Sequence, residues 1–264
     1  MELTIYHVDA FTDKVFAGNP AAVCPLIEWP DDMLLQNIAV ELCVPETAFY
    51  VKRNDRYEIR WFTPGGAEVD LCGHATLAAA FVLFNYEGYK PDIIHFHSPR
   101  SGDLSVTKNS DFLSLNFPAD NITPVNITEE IINCFGITPI HAFKGKTDYL
   151  FVFDSEAVIK NIQPDLNTIA QLPARGVIVT AKGDTVDFVS RFFAPQIGIN
   201  EDPVTGSAHT TLTPYWKNRL NKDELSAIQL SKRKGYLKCR YLGDRIEISG
   251  QAKLFSVGVI NEVI

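Results

Sequence analysis

Arg60-Trp61-Phe62-Thr63-Pro64, followed by acidic residues and then Gly73-His74-Ala75, is echoed later in the chain by Arg191-Phe192-Phe193-Ala194-Pro195, more acidic residues and Gly206-Ser207-Ala208. Each copy reads as a strand, a loop and a glycine that opens a helix of small residues. Two similar halves predict two helix N-termini on opposite sides of one cleft, each with free backbone N–H groups and the positive end of a dipole. Such a cleft suits an anion.

Working outward from the echo, the order of elements repeats. In the first half, residues 3–8 alternate as a strand, Ala17-Gly18-Asn19-Pro20 is a turn into the apolar strand 21–26, and Asp31-Asp32 opens an amphipathic helix over 33–42. Strands over 47–52 and 57–62 follow, then the helix 75–84. In the second half, strand 149–153, a short helix over 165–171, strands 176–180 and 186–193, and a helix from Gly206 to about Trp216 come in the same sequence. Registering the halves pairs Gly18-Asn19 with Gly145-Lys146, 47–52 with 176–181, and Gly73 with Gly206. A duplication accounts for four matched elements in one order better than coincidence does. Residues 118–124, where Asn, Pro, Asp and Thr cluster, have the composition of a linker. The expected lobes are 1–118, carrying Glu46 and the Gly73-His74 turn, and 119–264, carrying the turn from Asp202 to Ser207, with the final strand able to return to the first lobe.

Composition narrows the partners. Hydrophobic residues make up 46% of the 264 and charged ones 21%, which belongs to a folded protein, not a disordered one. A formal net charge of −8, with no basic cluster beyond Lys232-Arg233-Lys234, argues against nucleic acid and acidic membranes and favours a small molecule. The first residues lack the basic and apolar regions of an export signal, and the apolar run 75–84 is too short to span a bilayer. Five scattered cysteines without a Cys-x-x-Cys pair fit reduced thiols, so the expected location is cytoplasmic.

Where the halves differ, chemistry is the natural suspect. Pro45-Glu46-Thr47 places a carboxylate at a helix-to-strand junction among apolar neighbours, and the matching position in the second half falls near Arg175. A partly desolvated Glu has its pKa raised toward neutrality, where it can take and return a proton; a surface Glu at a strand start is the alternative. His74, just after Gly73, sits where the helix dipole favours neutral imidazole, either to bind substrate or relay a proton, or as a buried and satisfied core residue. Asp70 and Asp202 precede the glycine turns and can cap the helices that follow; Asp202 could also orient a substrate group. Cys72-Gly73-His74 lacks further ligands at zinc spacing, and His95 with His97 offers two ligands only, so no metal is expected. No Gly-x-Gly-x-x-Gly follows a strand and no Gly-x-Ser-x-Gly elbow is present, which removes support for dinucleotide redox chemistry and for a serine nucleophile.

Asp9-Ala10-Phe11-Thr12, Gly18-Asn19-Pro20-Ala21-Ala22-Val23, Glu46-Thr47-Ala48-Phe49, Arg60 to Pro64, Asp70-Leu71-Cys72-Gly73-His74-Ala75-Thr76 and Asp202-Pro203-Val204-Thr205-Gly206-Ser207-Ala208 together resemble the PhzF, phenazine biosynthesis-like family, in order and over nearly the whole chain. The resemblance implies an α+β fold of the diaminopimelate epimerase-like kind: two pseudo-symmetric lobes, each a mixed β-sheet or barrel around a central α-helix, with the active site between them. It also implies a cofactor-independent isomerase of biosynthetic type, often a homodimer. Its acid/base would be Glu46, assisted by His74 and Asp202. The turns at Gly73 and at Gly206-Ser207, with Asn19, Asp70, Cys72 and Thr205, would bind substrate. Related epimerases use one cysteine per lobe. Here Cys72 matches the first, but Thr205 stands at the second, and a hydroxyl is far too weak an acid or base for that task.

The expectation is therefore an isomerase that moves a proton within a small carboxylate-bearing metabolite, with Glu46 as general acid/base and no cofactor. A racemase or epimerase working through Cys72 is one alternative. A non-catalytic protein that binds small anions is another.

Overall fold

A computed structural model of the chain describes residues 2–261. The chain divides into two units: one takes the sequence up to Asn116 and again from Ser249 onward, the other Phe117–Ile248. Both combine strands with helices in an α+β arrangement.

In the first unit, strand Leu3–Ala10 pairs antiparallel with Ala252–Ile260 and with Asn19–Leu26. Asn19–Leu26 runs parallel to Glu46–Arg53, which pairs antiparallel with Arg56–Phe62; that strand runs parallel to Ile93–Ser98, which is antiparallel to Gly102–Asn109. In the second unit, His141–Lys144 is antiparallel to Asp148–Val152, which is parallel to Gly176–Lys182. Gly176–Lys182 is antiparallel to Phe188–Phe193, which is parallel to Glu224–Gln229, which is antiparallel to Gly235–Tyr241. The alternation of antiparallel and parallel pairings is the same in both units. The repeat seen in the sequence is a repeat of topology.

Strands of this kind are covered on both faces, so they read as continuous apolar runs instead of alternating ones. Ala48, Phe49, Tyr50 and Val51 are all buried. Phe49 and Val51 join Leu35, Ile38 and Ala39 in one core. Those three lie on the helix Asp32–Leu42, which Asp31 caps by accepting Leu34 N–H at 2.9 Å, and which ends at Cys43 in the left-handed region. The helix Gly73–Asn85 packs against strands Leu3–Ala10, Asn19–Leu26 and Glu46–Arg53. It is apolar all round, as a helix enclosed by sheet must be, and Ala75, Ala78, Ala79 and Ala80 let the strands approach closely. The second unit has the corresponding core of Phe151, Val177, Val179, Val189 and Phe193 with Ile159 and Ile169 of the helices Glu156–Asn161 and Leu166–Gln171.

Its own buried helix, Gly206–Leu220, is one turn longer than the pattern predicts, and it passes through Pro214. Proline has no N–H for the carbonyl four residues back. That carbonyl, on Thr210, instead accepts the backbone N–H of Asp120 at 3.2 Å, and Asp120 Oδ2 accepts Thr211 Oγ1–H at 2.8 Å. The gap in the helix ladder is thus filled from within the unit, and the helix continues to Asn221, whose left-handed backbone ends it. Among the described residues, no helix is long and apolar enough to cross a membrane.

Candidate active site

The echoed arginines do the same structural work in each unit. Arg60 donates from Nε and Nη2 to the two carboxylate oxygens of Glu68 at 2.7 and 2.9 Å, with its guanidinium 5.2 Å from the centre of the Phe62 ring. Arg191 donates likewise to Glu201 at 2.6 and 3.0 Å, 4.9 Å from the Phe193 ring. A fork-to-fork pair held over an aromatic face fixes the loop that leads to each glycine turn.

The ladders also align the halves residue by residue. Thr47 pairs with Phe62, and Val177 pairs with Phe193. Laying Phe62 on Phe193 therefore lays Glu46 on Gly176, not on the Arg175 position that the sequence suggests. The parallel ladders agree: they begin at Ala21 with Glu46 and at Asp148 with Gly176. No side chain fits at Gly176 as the unit stands. A Cβ there would lie 2.6 Å from Phe192 Cζ and 2.7 Å from the Phe193 carbonyl oxygen.

In the first unit, Asn19 and Glu46 begin two parallel strands while Cys72 and His74 begin the buried helix. Gly18 makes this possible: it has φ of +65°, and a Cβ would come within 2.1 Å of the Ala10 carbonyl oxygen. His74 stands at the centre of the group. Its Nε2 lies 3.1 Å from Glu46 Oε2, and its Nδ1 lies 3.3 Å from Asn19 Nδ2 and 3.5 Å from Cys72 Sγ. The Nε2 contact is close without having the alignment of a full hydrogen bond. Burial pushes the His74 pKa down to about 3 against the opposing pull of the Pro20 carbonyl. At neutral pH the contact therefore joins a neutral imidazole to Glu46, and an ion pair is the wrong description. The Glu46 side chain is 13% exposed, enough to meet a small ligand.

Glu46, Cys72 and His74 also offer ligand atoms within 4.8 Å of one another, a group that the Cys72-Gly73-His74 spacing alone does not reveal. Glu46 lies beside one ring nitrogen and Cys72 beside the other. A single cation could not use both close contacts through the same imidazole nitrogen. His97, by contrast, is engaged with Asp103 at 2.6 Å.

The second unit arranges its turn differently. Asp202 Oδ2 accepts Thr205 Oγ1–H at 2.5 Å. Gln229, wholly buried, accepts Thr205 N–H at 2.9 Å and donates from Nε2 to the Asp202 carbonyl at 2.8 Å and to Thr205 Oγ1 at 3.1 Å. Arg175 donates to both carboxylate oxygens of Asp148, at 2.9 and 2.5 Å, and to Ser207 Oγ at 3.0 Å. His209 donates Nδ1–H to the Thr205 carbonyl at 2.8 Å, as Thr76 Oγ1 does to the Cys72 carbonyl at 2.6 Å in the first unit.

Capping by Asp70 and Asp202 is corrected by this geometry. The N-cap positions are Cys72 and Thr205, and neither of these two side chains caps its own helix. Neither Asp is the N-cap residue: Asp70 is exposed and pairs with Arg100 at 3.3 Å, while Asp202 holds the hydroxyl of the N-cap Thr205. The structure gathers Asn19, Glu46, Cys72 and His74 in one unit, and Asp202, Thr205, Gly206 and Ser207 in the other. Gln229 escapes the sequence reading, and Arg175 enters it only as the apparent counterpart of Glu46. A buried glutamine closing an apolar strand, and an arginine just before a glycine where its counterpart is Pro45, are the signals that could have marked them.

The model of the phenazine biosynthesis-like protein family, PhzC-PhzF, matches residues 8–258. An uncharacterized isomerase of Pseudomonas aeruginosa is 50% identical over 261 residues, 99% of this chain and 100% of that protein. A crystal structure of a PhzF-family phenazine biosynthesis protein from Enterococcus faecalis has a TM-score of 0.96 at 48% identity, covering 98% of this chain and 99% of that one. A hydroxyproline epimerase from Agrobacterium vitis shares the fold at a TM-score of 0.63 and 9% identity, over 98% of this chain and 92% of its own.

Proposed function

We propose that this chain, which belongs to the phenazine biosynthesis-like PhzC-PhzF family and is an isomerase by that kinship, moves a proton within a small carboxylate-bearing metabolite, with Glu46 as the group that takes and returns it. The observation that carries the reading is the placement of Glu46: its Oε2 is 3.1 Å from the buried Nε2 of His74, at a position where the other unit has Gly176. One carboxylate can remove a proton from one carbon and deliver it to another on the same face, which is an allylic shift or tautomerisation.

Negative charge that develops on the substrate as the C–H bond breaks would be met by the first backbone N–H groups of helix Gly73–Asn85, which its N-cap side chain, Cys72, does not cap. His74, neutral at pH 7, assists as a hydrogen-bonding partner and not as a charged acid. The hydroxyl of Thr205 is too weakly acidic to serve as a second proton carrier. Glu46→Gln keeps the shape of the side chain and removes its proton chemistry. It is expected to abolish turnover while small carboxylates still raise the melting temperature; full turnover in that variant would sink the assignment.

A further inference from the structure

We infer that the outer edge of strand Ala252–Ile260 is the seam of a dimer, at which the strand pairs antiparallel with the same strand of a second copy about a twofold axis at Val257. The inference concerns the surface of the first unit and stands apart from the chemistry proposed for Glu46.

Ala252–Ile260 pairs with Leu3–Ala10 along its length, and among the described residues no strand pairs with its other edge. Phe255, Val257 and Val259 are 51, 51 and 53% exposed, and a Cβ on Gly258 would meet nothing within 4 Å. Long apolar edges are usually blunted by a charge, a proline, a bulge or a cover. Apart from a bulge at Phe255, residues 254–261 carry no such guard, having neither a charge nor a proline. Beside the strand, Phe16 is 71% exposed and has φ of +69°, a conformation that a bulky residue adopts at a cost. It is held there. The buried Asp9 carboxylate accepts its backbone N–H at 2.9 Å, and its ring stands edge-on to Phe255 with centroids 5.6 Å apart. A strained backbone that holds an apolar ring out into solvent, next to an apolar unguarded edge, marks a surface that a partner covers.

A second copy of this chain fits that surface. The exposed stretch 255–259 centres on Val257, and antiparallel self-pairing there sets Phe255 opposite Val259 and Ser256 opposite Gly258. Lys253, the one charged residue in 252–261, falls opposite Asn261, so no like charges meet. Twofold pairing uses this edge of both copies, and the assembly closes as a dimer.

The test is sedimentation velocity of the full chain over about 1–100 µM, with folding of each variant checked by circular dichroism. The unsubstituted protein is expected to sediment as a dimer. Val257→Glu sets two like charges against each other at the axis and is expected to weaken association by about 100-fold or more. Phe16→Ser is expected to weaken it by about 30-fold. Both side chains are exposed, so neither change removes core packing. A second readout fixes the register. In a Cys43→Ser background, because Cys43 is exposed, Val257→Cys is expected to form a disulfide-linked dimer under mild oxidation. Lys253→Cys, far from its own copy in this register, is expected to stay uncrosslinked. A monomer throughout the range would overturn the inference, as would oligomers larger than two. A dimer that survives Val257→Glu, or that crosslinks no better through Val257→Cys than through Lys253→Cys, would overturn it as well. None of these readouts depends on turnover, so the seam and the role of Glu46 stand or fall separately.

Discussion

Glu46 and Gly176 occupy the same register position in two units of the same topology, each one residue before the strand residue that pairs with the echoed phenylalanine, Phe62 or Phe193. One position carries the carboxylate beside His74; at the other, Phe192 and the Phe193 carbonyl leave no room even for a methyl group. The asymmetry is thus enforced by packing as well as by residue identity. It follows that Gly176→Ala should destabilise the second unit by about 1–3 kcal/mol, the usual cost of overpacking. Urea unfolding measures it, and an unchanged midpoint would mean that the strand relaxes around the added carbon.

The arginine forks should not tolerate lysine. Arg191 binds Glu201 with two nitrogens and also donates to the carbonyls of Ile159 and Ile162 at 3.3 and 2.8 Å. Arg191→Lys keeps the charge and loses the planar fork. A loss of about 1–3 kcal/mol is expected in thermal or denaturant unfolding.

Gln229 is the buried bracket of the second glycine turn. Gln229→Leu keeps its bulk but leaves the Thr205 N–H and the Asp202 carbonyl without their partner in a buried place. A cost of about 2–4 kcal/mol is expected from two unsatisfied groups. Protease resistance of the Asp202 to Ser207 segment should fall with it.

Acid should weaken the fold before it reaches the carboxylates. Burial lowers His74 from its ordinary 6.5 to about 3 and His209 from 6.5 to about 4, against the opposing pull of backbone carbonyls. Between those folded values and 6.5 the unfolded chain binds more protons than the folded one, so stability rises with pH. The contribution is complete above the unfolded value and is lost as pH falls through about 4 for His209 and about 3 for His74. Unfolding free energies measured from about pH 7.5 down to about pH 5 should decline, and His209→Gln should flatten the decline.

Much of this organisation was legible in the chain because the duplicated motif carries its own supports: Arg60 and Arg191 each precede, by two residues, the phenylalanine they cover. Glu46, His74 and Cys72 stood out by the same comparison. The register was not legible to the last residue, because a one-residue slip moves every side chain to the other face of a strand and only ladder pairing decides it. Hence Arg175 looked like the partner of Glu46 when Gly176 is. The caps differ from the sequence reading because Cys72 and Thr205, not Asp70 and Asp202, stand at the N-cap positions. The helix past Pro214 was cut short because the N–H that rescues the Thr210 carbonyl comes from Asp120, far away in sequence. Long-range hydrogen bonds leave no local pattern.

Glu46, not Cys72, is the group proposed to carry the proton. The direct measurement is incorporation of deuterium from ²H₂O into a panel of small unsaturated and amino-bearing carboxylic acids, read by mass spectrometry for the unsubstituted protein, Glu46→Gln and Cys72→Ala. An acid labelled by the unsubstituted protein is expected to remain labelled by Cys72→Ala, whereas Glu46→Gln labels it at a rate lower by about 10²-fold or more. Labelling that survives Glu46→Gln and disappears in Cys72→Ala would contradict it and make the thiol the working base.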